Sequence, residues 1–173
     1  MQTGSFTKSP AKEGSAEATP FAIFALLKHT GRADEDNEKK RAMLKKIRHI
    51  GLAVSDLEEA RTFFGEIFDL HVSEREEFGE LRFSFIPFEG TDMELLQSTT
   101  PEGQIAKFIS KRGQGIHHIA LEVDDIQAEL DRLKSRGVSL INDKPYLNAH
   151  KEQVAFIHPK STFGVLIELV QSE

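Results

Sequence analysis

Two stretches of the chain repeat one pattern, His49-Ile-Gly-Leu-Ala-Val-Ser-Asp56 and His118-Ile-Ala-Leu-Glu-Val-Asp-Asp125, with the histidines 69 residues apart. Their alignment matches Ile50 with Ile119, Leu52 with Leu121, Val54 with Val123 and Asp56 with Asp125. Read as strands, both alternate with period two. The aliphatic residues then share a face suited to packing under a helix. Each histidine stands on the other face among small or polar neighbours, as the wall of a cavity requires. Such a chain is constrained to use one folding module twice.

The segments after the two strands repeat as well. Ser55 and Glu58 have the spacing of a capping box, and Leu57, Ala60, Phe63, Phe64 and Ile67 recur at helical spacing. In the second copy Asp124 and Gln127 open a helix, Ile126, Leu130 and Leu133 line its face, and Gly137 can end it. Three strand-like runs succeed each helix: 71–76, 81–88 and 92–97, then 139–142, 154–158 and 165–170. A helix with Ile105, Phe108 and Ile109 buried and Gly113 at its end is expected between the copies. The fold class is α+β, with tandem βαβββ modules at 45–100 and 114–173 joined by a connecting helix at 101–113. Residues 1–44 form an N-terminal extension, partly disordered or in short helices. Its apolar run 21–27 reads as a helix docking on the domain or on a second subunit, since glutamates precede it and no cleavage pattern comes after it.

The last strand of each module carries a glutamate in an otherwise apolar run, Glu94 and Glu168. A carboxylate in a buried strand is costly unless it is paired or binds a cation. With His49 and His118 these residues supply two imidazoles and two carboxylates to one cavity, a set that suits a divalent transition metal with positions left for water or substrate. The chain has no cysteine, so thiolate sites and disulfides are excluded. His117 falls on the opposite strand face by alternation and is left out of the site. A net charge of −6 without a basic aromatic stripe argues against nucleic acid, and no apolar run is long enough to span a membrane.

The paired modules and their His/Glu/His/Glu pattern resemble the vicinal oxygen chelate (glyoxalase-like) superfamily. More narrowly, His49-Ile-Gly-Leu-Ala-Val, Glu94-Leu-Leu, Gly115-Ile-His-His-Ile-Ala-Leu and His158-Pro-Lys-Ser-Thr with its adjoining glutamate strand resemble the methylmalonyl-CoA epimerase family. That resemblance implies one divalent ion (cobalt, zinc, manganese or nickel) held by His49, Glu94, His118 and Glu168. It further implies an acyl-CoA substrate, a cytoplasmic homodimer, and inversion of an α-carbon by removal and return of its proton, with Glu168 as one base. Some family members place a second glutamate three residues after a glycine on the middle strand of the first module. Counting from Gly79 gives Arg82, a candidate to grip a substrate carboxylate, and no second base is assigned. Lys160 and Ser161 are candidates for the coenzyme A phosphate or pantetheine; a solvated turn is the other reading of them. Phe163, where the family has glycine, and the 148–153 segment should add bulk at the coenzyme entrance.

Three readings compete within the superfamily: a lactoylglutathione lyase, a ring-cleaving dioxygenase and a non-catalytic ligand-binding protein. The lyase usually carries an Asp-Pro turn where this chain has His158-Pro159. The dioxygenase would leave Glu94 without a role, and the binding protein would need no ligand set.

Overall fold

The computed structural model describes residues 44–172, so the expectations for 1–43 lie outside the described residues. The first half runs β1 (Leu44–Ala53), α1 (Leu57–Ile67), β2 (Glu76–Phe78), β3 (Leu81–Phe88) and β4 (Thr91–Ser98). Then come α2 (Gln104–Arg112), β5 (Gly115–Val123), α3 (Ile126–Ser135), β6 (Tyr146–Leu147), β7 (Gln153–Ile157) and β8 (Leu166–Gln171). All eight strands form one mixed sheet in the order β2-β3-β4-β1-β5-β8-β7-β6. β1 and β5 pair antiparallel at its centre, and each is flanked by a parallel partner, β4 or β8.

One face of the sheet is covered by α1 and α3. Leu57, Ala60 and Phe64 pack on Val54, Ile86 and Leu95, while Ile126, Leu130 and Leu133 pack on Ala155, Ile157 and Leu169. Complete burial of one such side chain contributes about 2 kcal/mol. The helices start one residue later than expected. Asp56 caps α1 by accepting from the Glu58 and Glu59 amides, and Asp125 caps α3 by accepting from the Ala128 amide. Ser55 is instead drawn to Gln114, whose Oε1 accepts from both its amide and its hydroxyl. A carboxylate at the positive end of a helix outcompetes the hydroxyl for those amides. The repeat extends to the next amide: Leu57 N–H donates to Gln97 and Ile126 N–H donates to Gln171, each glutamine three residues beyond a strand glutamate.

Two short strands differ from expectation. The first module's second strand lies at 76–78 rather than 71–76, and the second module pairs at 146–147, leaving at 139–142 only an isolated bridge from Leu140 to Ile157. Both segments are edge pieces, held by a few bonds to the neighbouring strand, and carry little hydrophobic alternation to mark them.

Candidate metal centre

The strand order places the four conspicuous side chains on four adjacent strands: Glu94 on β4, His49 on β1, His118 on β5 and Glu168 on β8. Register does the rest. Gly51 stands between Glu94 and His118 in one row, and Ala120 stands between His49 and Glu168 in another. Residues directly opposite each other project from the same face of a sheet. With only glycine and alanine between them, the four longer side chains can lean together.

They meet closely. The Nε2 atoms of His49 and His118 are 2.9 Å apart, and each lies 3.1 Å from Glu168 Oε2. Glu94 Oε2 lies 3.5 Å from His49 Nε2 and 3.6 Å from His118 Nε2. His49, His118 and Glu168 are buried, and Glu94 nearly so. Burial alone would push the His49 imidazole down, but its hydrogen bond to Glu168 and the charge of Glu94 outweigh it and hold His49 above the ordinary histidine value. Burial likewise raises Glu94. Glu168 feels the same burial, yet its bonds to His118 and His49 prevail and hold its carboxyl at about 2. The cluster therefore draws positive charge to its middle.

A divalent cation fits this donor set. Ligands about 2.1 Å from a common ion stand about 3.0 Å apart at right angles and about 3.4 Å apart at tetrahedral angles. The observed separations, 2.9 to 3.6 Å, span that range. Two ring nitrogens facing each other and the same carboxylate oxygen cannot all be joined by hydrogen bonds with one proton per neutral imidazole, whereas lone pairs converging on a cation need none. His49, Glu94 and His118 form a group that could hold a metal ion, and Glu168 Oε2 lies 3.1 Å from both imidazole nitrogens of that group.

The cluster lies in a cavity of about 480 Å³ on the concave face of the sheet. Phe83, Phe85, Leu96, Ile105 and Phe156 make much of its wall, and Arg48, His117, Asn142, Tyr146, Asn148 and His150 add polar groups. The 148–152 segment crosses to the opposite edge of the sheet, where His150 Nε2 lies 3.0 Å from Glu76 Oε2 and its ring sits beside Phe83 and Phe85.

Several residues singled out from the sequence stand elsewhere. Arg82 is not in the cavity wall; its Nε donates to Glu77 at 2.9 Å. The reason is register: Phe85 pairs with Glu94, so Leu81, Phe83 and Phe85 share the cavity face, and Arg82 and the buried Ser84 do not. Glu80, just before β3, also lines the cavity. Lys160 is exposed on a 3-10 turn outside the cavity wall, and the Ser161 hydroxyl accepts from the Ser139 amide. Phe163 is also outside the wall, 86% exposed, and holds φ of 56°, the left-handed region where glycine is preferred. His117, read as facing away, lines the cavity and is held well below the ordinary histidine value, at about 4, chiefly by burial.

Residues 48–156 match the Glyoxalase/Bleomycin resistance protein/Dioxygenase superfamily. The chain is 37% identical over 132 residues to the mitochondrial methylmalonyl-CoA epimerase of Homo sapiens, covering 75% of each chain. It is 35% identical over 133 residues to the ethylmalonyl-CoA/methylmalonyl-CoA epimerase of Cereibacter sphaeroides, covering 75% of this chain and 99% of that one. A solved methylmalonyl-CoA epimerase in complex with methylmalonyl-CoA and NH4+ superposes with a TM-score of 0.70 at 30% identity, over 75% of this chain and 96% of that chain.

Proposed function

We propose a function from one premise: this chain belongs to the glyoxalase/bleomycin resistance/dioxygenase superfamily and, within it, to the methylmalonyl-CoA epimerases. It is an epimerase that inverts the α-carbon of methylmalonyl-CoA. The observation that carries the reading is the convergence of His49, Glu94, His118 and Glu168 inside a cavity large enough for an acyl group. The lactoylglutathione lyase reading is not favoured, because the relatives at 35 to 37% identity are epimerases.

In this proposal the four residues hold one divalent ion, for which cobalt, zinc, manganese and nickel all suit imidazole and carboxylate donors. The ion supplies Lewis-acid stabilisation of the charge that develops beside the α-carbon as its proton leaves. Glu168 takes that proton. Its Oε2 is committed to the two imidazoles, none of those contacts uses Oε1, and its depressed pKa keeps it ionised at neutral pH. Inversion also requires a proton donor on the opposite face of the carbon. Phe83, Phe85 and Phe156 give the cavity an apolar wall, which strengthens electrostatic stabilisation of the charge that develops there.

No helix among the described residues is long and apolar enough to cross a membrane. A cytoplasmic homodimer is the assembly we propose. Phe63 and Phe68, with ring centroids 5.6 Å apart, and Ile67 form an exposed apolar cluster at the end of α1 that offers a surface for it.

Metal removal tests the reading. Protein stripped by a chelator should lose interconversion of (R)- and (S)-methylmalonyl-CoA by at least about a hundredfold and regain it with cobalt or manganese. Undiminished epimerisation by metal-free protein would refute the metal centre. Turnover of methylglyoxal with glutathione, without epimerisation, would transfer the protein to the lyases.

A further inference from the structure

We propose that His117 is a positioning residue of the metal centre, an assignment that rests on the metal reading above. Between the pairs Gly51–His118 and Leu52–Ile116, β1 advances one residue and β5 advances two. The extra residue is His117, and a bulge of this kind re-aims a side chain that strict alternation would send away. The outcome is a pair of adjacent histidines that both reach the cavity. His117 Nδ1 lies 3.0 Å from His118 Nδ1, with the two rings at 87°. Phe108 of α2 packs edge-on against the His117 ring at 5.0 Å between centroids and holds it there.

The chemistry assigns direction to this contact. If His118 presents a lone pair at Nε2, the single proton of its neutral ring is on Nδ1, and that N–H needs an acceptor. His117 Nδ1 is in place to be that acceptor. Histidines that bind metals commonly have their second nitrogen fixed in this way, which sets both tautomer and ring rotation. The repeat lacks this device in its first copy. Arg48 occupies the equivalent bulge before His49, and its guanidinium turns to Asp92 at 2.9 Å and Glu152 at 3.6 Å. His118, not His49, thus has an imidazole nitrogen facing its Nδ1.

Two substitutions separate hydrogen bonding from bulk. His117→Phe keeps a ring but no acceptor; His117→Asn places an amide oxygen close to where Nδ1 stood. Cobalt is the probe, with affinity read by chelator competition, visible absorption bands recorded for the loaded protein, and melting temperature measured without metal. The Phe variant should bind cobalt about 10- to 100-fold more weakly, with altered bands, while the Asn variant stays close to wild type in both. Metal-free melting should be alike in all three. Should the Phe variant fail to fold, His117→Leu takes its place. Wild-type affinity and bands in the variant without an acceptor, or equal losses in both variants, would overturn the assignment. Wild-type protein that takes up no cobalt would instead overturn the metal centre, and this inference with it.

Discussion

Glu168→Gln should leave the protein folded and able to take up metal, yet slow α-proton removal by about 10²- to 10⁴-fold, the range that a positioned acid–base group contributes. The amide keeps the shape and an oxygen donor but cannot accept a proton at neutral pH. Glu168 is buried against two imidazoles at 3.1 Å, so the glutamine can still orient its oxygen toward them. Metal content by elemental analysis and epimerisation by chiral assay, measured on the same sample, separate the two roles. Loss of metal in step with loss of activity would make Glu168 a ligand only. Unchanged activity would remove it from the chemistry altogether.

Gly51→Ala is the second change with a large expected effect, although it adds only one methyl group. A Cβ at Gly51 would stand 2.5 Å from His118 Nδ1 and 2.9 Å from Nε2, closer than real carbon contacts allow. The His118 ring must rotate or shift, and its Nε2 leaves the point where the four donors converge. Metal affinity should fall by about tenfold to a hundredfold or more, with epimerisation falling at least as far. The fold should persist, because Gly51 lies on the cavity side of β1 and the helix-facing residues Leu52 and Val54 are untouched. Isothermal titration with cobalt and a chiral assay check this. A fully active Ala variant would mean that His118 is free to move, contradicting a centre assembled by close packing.

The pattern of the fold was legible because the repeat carries it. Two copies of one strand, each with a histidine opposite a small residue and a glutamate on the neighbouring strand, specify which elements are adjacent. The errors fall where local geometry departs from ideal alternation. A bulge is invisible to a period-two reading, so His117 and Arg48 were missed although both stand immediately before the histidines in the repeat. The face of β3 was recoverable. Phe88 pairs with Thr91 across a two-residue turn at Glu89-Gly90, and Gly90 has φ of 84°. A tight glycine turn there fixes Phe85 opposite Glu94 and sends Arg82 to the other side. The wall built from 141–152 had no such signal. Asn142, Tyr146 and Asn148 arrive through irregular chain and a two-residue strand, positioned by tertiary contacts that periodicity cannot express.

The most direct test tracks the proton. Metal-loaded protein is given a single epimer of methylmalonyl-CoA in D2O, and α-deuterium incorporation is monitored together with the ratio of epimers. Deuterium should enter the α-position as the epimers equilibrate, and both processes should stop together on chelation. Metal-loaded protein that neither exchanges the α-hydrogen nor changes the epimer ratio would contradict a metal-assisted epimerase.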